Sequence, residues 1–196
     1  MKLFLLFVSC LLLAGPRLAN AQIKNDPSKT ARIVAITPQE SPTVLLNGGT
    51  MRMLVDSADT HGEWSMAALT ENTRYLTPVH RHTWDESFYV LEGTLTAMLD
   101  GRYYELPAGS FLLIPRGTVH AQGNRDSTPV KLLLTMRPSG FEHHLKDRAE
   151  LYKKIKPSEP GFPQAMDSLR RKNAAYIEVI GPWNVPAKPA PLPNHQ

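Results

Sequence analysis

Along the middle of the chain, apolar and polar residues alternate in short runs separated by glycine, proline and aspartate. Alternation with a period of two places successive side chains on opposite faces of an extended strand, so each run reads as one half-buried β-strand. Residues 51–55 and 63–70 form two such runs, joined by turn residues at 56–62. A ladder follows: 87–91, a turn at Glu92-Gly93, 94–99, a turn at Asp100-Gly101, 102–106, a turn at Pro107-Ala108-Gly109, and 110–114. After Pro115-Arg116-Gly117 come 118–122, a loop at 123–128, and 130–136. Asp100-Gly101 is the strongest hairpin signal, because a two-residue turn needs positive φ at both positions. Strands this short and this evenly spaced predict a mostly β protein, an antiparallel sandwich or barrel.

After Pro138 the period lengthens. Ser139, with Glu142 three residues on, has the form of a capping box. Phe141, Leu145, Ala149, Tyr152 and Ile155 then recur at helical spacing, predicting an amphipathic helix of about 15 residues whose apolar stripe must be covered. A second helix fits 163–176, with Pro163 in its first turn, and 177–180 reads as a short strand. Before the barrel, residues 22–43 are polar and carry Pro27, Pro38 and Pro42, an irregular arm with one short strand expected around 32–36.

The N-terminus has a different character. Lys2 precedes an uncharged apolar stretch from Leu3 to Leu13, too short to span a bilayer, and Ala19-Asn20-Ala21 supplies a small-x-small cleavage pattern. This predicts a signal peptide cleaved after Ala21, a secreted or periplasmic protein, and no stable membrane anchor. Cys10 is the one cysteine, so the exported chain has no disulfide and no thiolate ligand. The organisation expected is signal peptide 1–21, N-terminal arm 22–46, β-barrel 47–137, helical extension 138–180 and proline-rich tail 181–196. Lys and Arg number 22 against 18 Asp and Glu, with no basic cluster to track a phosphate backbone, so nucleic acid is not an expected partner.

The chemistry lies in the histidines. His80 and His82 sit two apart, on the same face of a strand. On a straight strand Glu86 would lie about 13 Å from His82, so the chain must bend at Thr83-Trp84-Asp85 for the two to share an ion. His120 comes from a later strand. Three imidazoles and a carboxylate closing on one divalent cation suit Fe, Mn, Ni, Cu, Co or Zn. His61 falls in a turn and His195 in the tail, both positions for solvated side chains. His143 and His144 are adjacent on a helix and do not share a face. Phe88, Val90 and Phe111 read as barrel core, with Phe88 and Val90 on the face of Glu86. Gln122 shares the face of His120, where it either hydrogen-bonds a ligand or supports the metal ligands.

These residues carry a family resemblance. His80-x-His82-x3-Glu86-x6-Gly93 resembles the first motif of the cupin superfamily, and Gly109-x5-Pro115-x-Gly117-x2-His120-x3-Asn124 resembles its second, with 15 residues between Gly93 and Gly109. The resemblance covers residues 69–136 and departs at Arg74, where the first motif has a glycine that shapes a turn. It implies a small jelly-roll barrel, an antiparallel double-stranded β-helix, with a metal held inside by His80, His82, Glu86 and His120. The helical extension is similar to that of single-domain, quercetin-dioxygenase-like cupins. That likeness implies a metal-dependent oxygenase acting on a small organic, phenolic or flavonol-like substrate, with Glu86 doubling as a base. A Lewis-acid isomerase, decarboxylase or lyase uses the same site, and a non-catalytic pocket for a sugar or small molecule is the reading of a different class. By analogy with barrels of this type, a homodimer is the expected assembly.

Overall fold

The computed structural model describes residues 33–41, 43–46 and 48–184. In chain order the strands are β1 (Val44–Leu46), β2 (Gly49–Val55), β3 (Ser65–Glu71), β4 (Tyr75–Leu76), β5 (Val79–His82) and β6 (Asp85–Glu92). They continue as β7 (Thr94–Leu99), β8 (Arg102–Pro107), β9 (Phe111–Ile114), β10 (His120–Asn124) and β11 (Val130–Arg137). Helices α1 (Phe141–Lys154) and α2 (Phe162–Lys172) follow, then β12 (Ile177–Gly181). One sheet runs β1-β2-β3-β11-β6-β9 and the other β12-β5-β10-β7-β8, with β4 beside β10. Every pairing is antiparallel, and the two sheets make the jelly-roll sandwich of a cupin barrel.

Alternation along the strands builds the core. Ser65, Ala67, Leu69 and Glu71 of β3 face inward, as do Val130, Leu132, Leu134 and Met136 of β11 and Glu86, Phe88 and Val90 of β6. Each fully buried Leu, Val or Phe side chain contributes about 1.5–3 kcal/mol relative to exposure. The β7–β8 hairpin turns on Asp100 (φ 47°) and Gly101 (φ 81°), the two positive angles that its turn chemistry predicts. Arg74 has φ 56°, a left-handed backbone at the position where the motif it resembles has a glycine.

Phe111 departs from the core expectation: it is 62% exposed. Strand partners share a face, and Phe111 pairs with the outward Tyr89, whereas Ile114 pairs with the inward Glu86. Phe111 and Leu113 therefore point to solvent and Ile114 fills the core. The strand expected around 32–36 is also absent, since residues 33–37 carry no strand pairing and position 32 lies outside the described residues. The signal-peptide segment 1–21 and His195 lie outside them as well.

The capping box at Ser139 forms only in part. Gly140 intervenes as the N-cap with φ 135°, and Ser139 makes no capping bond. Glu142 is then one position too early to stand at N3. Its buried carboxylate accepts the Gly140 N–H at 2.7 Å and the Ser65 hydroxyl at 3.3 Å, pinning the helix start to β3. Leu145 and Phe141 press the helix onto the barrel core and Tyr152 stacks on Phe162 of α2, so these members of the predicted apolar stripe are covered from within the chain. Helix α2 stops at Lys172, short of 176, because the buried Asn173 turns its side-chain amide back onto the Leu169 carbonyl at 2.9 Å. The freed chain runs along β5 as β12, setting Ile177 opposite His82 and Val179 opposite His80. Beyond β12, Trp183 is buried and stacks near Tyr103. No helix among the described residues is long and apolar enough to cross a membrane.

Candidate metal centre

His80 and His82 occupy alternate positions of β5 and turn to the same buried face. His120 opens β10 directly opposite His80 in the ladder. The bend at Thr83-Trp84 carries the chain from one sheet to the other, so that Glu86, early in β6, faces the histidines across the interior. The ligand nitrogens of His80, His82 and His120 lie within 4.8 Å of one another, and all three residues are buried. Two ligands on opposite sides of one ion stand roughly 4 Å apart, so this cluster has the dimensions of a single site. Glu86 Oε2 stands beside it, 3.3 Å from His82 Nε2 and 3.5 Å from His120 Nε2.

The second nitrogen of each ring decides what the first can do. Nδ1 of His80 lies 2.8 Å from the Pro78 carbonyl oxygen, Nδ1 of His82 2.8 Å from that of Trp84, and Nδ1 of His120 2.9 Å from that of Thr118. A carbonyl only accepts, so each Nδ1 carries a proton and Nε2 is the atom each ring turns to the interior as a prospective ligand. Nε2 of His82 and Nε2 of His120 both face the acceptor oxygen of Glu86, the first within hydrogen-bonding reach, and His120 Nε2 makes no hydrogen bond. Acceptors converging on acceptors in a buried space require a positive charge between them. The donor set fits a divalent transition ion: imidazole nitrogens, a carboxylate oxygen, and backbone carbonyls that hold the ring orientations.

Charge distribution agrees with this geometry. Burial, with His120 next, pushes the His80 imidazole down to about 4, which keeps its lone pair free at neutral pH. Burial would raise Glu86, but positive charge between it and His120 and His82, whether a proton or an ion, outweighs that and holds the carboxyl at about 2. An ion at the same place supplies the same pull.

The surroundings contain residues that motif reading missed. The Trp84 ring stacks on His82 at 4.0 Å, 10° from parallel, while its carbonyl holds the His82 Nδ1 proton. Gln122 bonds neither imidazole; its Oε1 accepts the Thr77 hydroxyl at 3.3 Å, and the side chain lines a cavity. That cavity, about 100 Å³, has apolar walls from Met51, Leu69, Phe88 and Leu134, and Phe141 and Leu145 of α1 close it. Its polar groups include Glu86, Gln122, Tyr75, Arg148 and Glu71. Glu71 is 3% exposed and its Oε2 has no partner. Burial, reinforced by Glu86, pushes its carboxyl up to about 8, so it is uncharged at neutral pH. The signals for these residues existed: Glu71 is in phase with Ala67 and Leu69 along β3, and Arg148 follows Phe141 and Leu145 at helical spacing. His61 sits in a turn at φ 54°, His143 is exposed, and the buried His144 stacks on Phe141 away from the cluster.

Comparison with known proteins places these features in a family. Residues 73–136 match the family described as cupin domain. The chain is 36% identical over 105 residues to quercetin 2,3-dioxygenase of Bacillus subtilis (strain 168), an alignment covering 53% of this chain and 31% of that one. It therefore spans less than a third of the length of that relative. Among solved structures, KdgF from Halomonas sp. superimposes with a TM-score of 0.51 at 14% identity, over 57% of this chain and 99% of that one. Ectoine synthase from P. lautus gives a TM-score of 0.51 at 14% identity, over 59% of this chain and 85% of that one. At such identities the two structures share the fold and no more.

Proposed function

The chain belongs to the cupin superfamily as a metal-binding member, and from that premise we propose that it is an exported metal-dependent oxygenase acting on a small organic molecule with an enolic or phenolic hydroxyl. The observation that carries this reading is the convergence of three Nε2 atoms and the Glu86 carboxylate beside an apolar, covered cavity. His80, His82, Glu86 and His120 would hold the ion. When bound, a redox-capable ion offers open positions for a substrate oxygen and for O₂.

The remaining roles belong to the protein. Nδ1 contacts to Pro78, Trp84 and Thr118 fix the three rings before substrate arrives, so no reorganisation is needed at the reacting centre. Met51, Leu69, Phe88 and Leu134, with Phe141 and Leu145, give the space beside Glu86 an apolar wall that leaves little room for water once a substrate fills it. Glu86 lines the cavity and is ionised, and its carboxylate is placed to receive the hydroxyl proton of a bound substrate. The cavity of about 100 Å³ is smaller than the roughly 300–1,000 Å³ of pockets that enclose drug-sized ligands, which favours compact substrates over a three-ring flavonol.

One observation supports a second reading. An ionised Glu86 and a neutral Glu71 face the same cavity, an acid and a base held apart by their environments. That pair equally suits an isomerase, decarboxylase or lyase in which the ion acts as a Lewis acid. The test is oxygen uptake by natively purified protein, its metal identified by elemental analysis, with a panel of catechols, small enols and flavonols. Substrate-dependent O₂ consumption supports the oxygenase. Substrate turnover without O₂ consumption refutes it in favour of the Lewis-acid chemistry.

A further inference from the structure

Helix α1 carries the cations Lys146, Arg148, Lys153 and Lys154, and they are treated differently. Lys146 pairs with Asp56 and Lys153 with Glu150. Arg148, half-buried between them in sequence, has no carboxylate partner among the described residues. Its Nε donates to the Tyr152 hydroxyl at 3.2 Å, and its guanidinium carbon lies 5.9 Å from the centre of that ring. A guanidinium has five N–H donors in a rigid fork, so bonds to two neutral phenols, Tyr152 and Tyr75, still leave donors free and the charge without a counter-ion.

Its position gives that capacity a purpose. Arg148, Tyr75 and Thr77 line both the interior cavity that holds Glu86 and an outer groove of about 430 Å³ that reaches His80. The guanidinium therefore stands where the two spaces adjoin. Neighbouring groups leave its charge unneutralised: Glu71 is held uncharged by burial and by Glu86, and burial together with Arg148 itself keeps the His144 imidazole neutral. Burial raises the Tyr75 hydroxyl, against the pull of Arg148, so this phenol also stays uncharged and able to donate.

We propose that Arg148 is an anion anchor, and that the substrates are small carboxylic acids with a second oxygen, as a hydroxyl, keto or enol group, that reaches the metal centre. The inference rests on the cavity being the substrate site of the reading above. The carboxylate would take the Arg148 fork at the junction of the two spaces, with the second oxygen directed toward His80, His82, Glu86 and His120. Size fits this division: an apolar cavity of about 150 Å³ holds benzene, so about 100 Å³ takes the few atoms next to the metal while the anionic end remains at the mouth. A guanidinium also matches phosphate, but inorganic phosphate has no second oxygen on a carbon spacer to extend from the fork toward the metal centre, so the placement of Arg148 between the two spaces favours a carboxylate.

The experiment uses the metal-loaded full-length protein and matched probes: pyruvate, lactate and salicylate, each against its own neutral amide, with inorganic phosphate as the alternative anion. Calorimetry reads affinity without requiring turnover. At least one acid is expected to bind about 10- to 100-fold more tightly than its amide, the span of one charge-assisted hydrogen-bonded pair. Arg148→Met should abolish this preference, and Arg148→Lys, which keeps the charge without the fork, should retain part of it. Equal binding of acid and amide by the parent protein overturns the proposal even if neither variant folds. So does the absence of acid binding at millimolar concentration, a preference that survives Arg148→Met, or phosphate binding more tightly than every acid. Oxygen uptake separates the two claims. Acid preference without O₂ consumption removes the oxygenase and leaves the anchor, and O₂ consumption with neutral phenols alone does the reverse.

Discussion

His120→Ala gives the most direct test of the metal centre. The ring is fully buried, its Nδ1 is held by Thr118, and its Nε2 makes no hydrogen bond and points at the Glu86 carboxylate 3.5 Å away, the direction of the candidate ion. Loss of a supporting contact around a metal typically costs 10- to 100-fold in affinity, so loss of a ligand should cost about 100-fold or more. With the ion at about 1,000 times its Kd, binding stabilises the fold by about 4 kcal/mol, and a 100-fold weaker site retains about 1.4 kcal/mol. At roughly 2–4 °C per kcal/mol for a chain of this size, the metal-dependent part of Tm should shrink by about 5–11 °C. The quantity to measure is the difference between Tm with metal and Tm with chelator, in parent and variant. Taking that difference removes the separate cost of the space left by the ring. His80→Ala and His82→Ala should behave alike, and His61→Ala, in its turn, should leave the difference untouched. A His120→Ala protein with full metal occupancy and an unchanged difference would refute the assignment of this cluster.

Other consequences can be checked in parallel. Glu71 titrates near 8 in the fold against about 4.5 when unfolded, so between those values the folded state holds the extra proton and stability falls as pH rises; in metal-free protein Glu71→Gln should flatten this decline in urea unfolding between pH 5 and 8, and an unchanged slope would count against it. His80 acts in the opposite sense, since its lowered value costs stability as pH falls from 6.5 toward 4. Arg74→Gly should raise stability by up to about 1 kcal/mol in denaturant melts by relieving a left-handed non-glycine residue, and a loss of stability would contradict the strain argument. Tyr89, Leu91, Phe111 and Leu113 are exposed on neighbouring strands at the β9 edge, so a homodimer is expected there; light scattering should show dimer in the parent and monomer in Phe111→Glu, and a parent that stays monomeric at high concentration rejects it. Exported protein should begin at Gln22 by intact mass, and retention of Met1 would exclude cleavage after Ala21.

The divide between local and long-range information runs through both the fold and the site. Strand ladder, hairpin at Asp100-Gly101 and the α1 periodicity are written in the chain, because each depends on side-chain alternation or turn sterics within a few residues. That His80, His82 and His120 come together, with Glu86 beside them, was legible for a related reason: the glycines and prolines between them set the turns that bring their strands together. What pairing alone decides was not legible. Phe111 faces solvent because its register partner is Tyr89, and no local pattern specifies that partner. The C-terminal strand lies against His80 and His82 because α2 stops at Asn173, whose side chain competes for the helix backbone only once it is buried. Likewise Glu71, Tyr75 and Arg148 come from β3, β4 and α1, segments that meet only when the barrel closes and the helix covers its mouth. Their phase along each element could be read beforehand, but the protonation states of Glu71 and Tyr75 could not. Burial sets those, and burial is a property of the assembled tertiary structure.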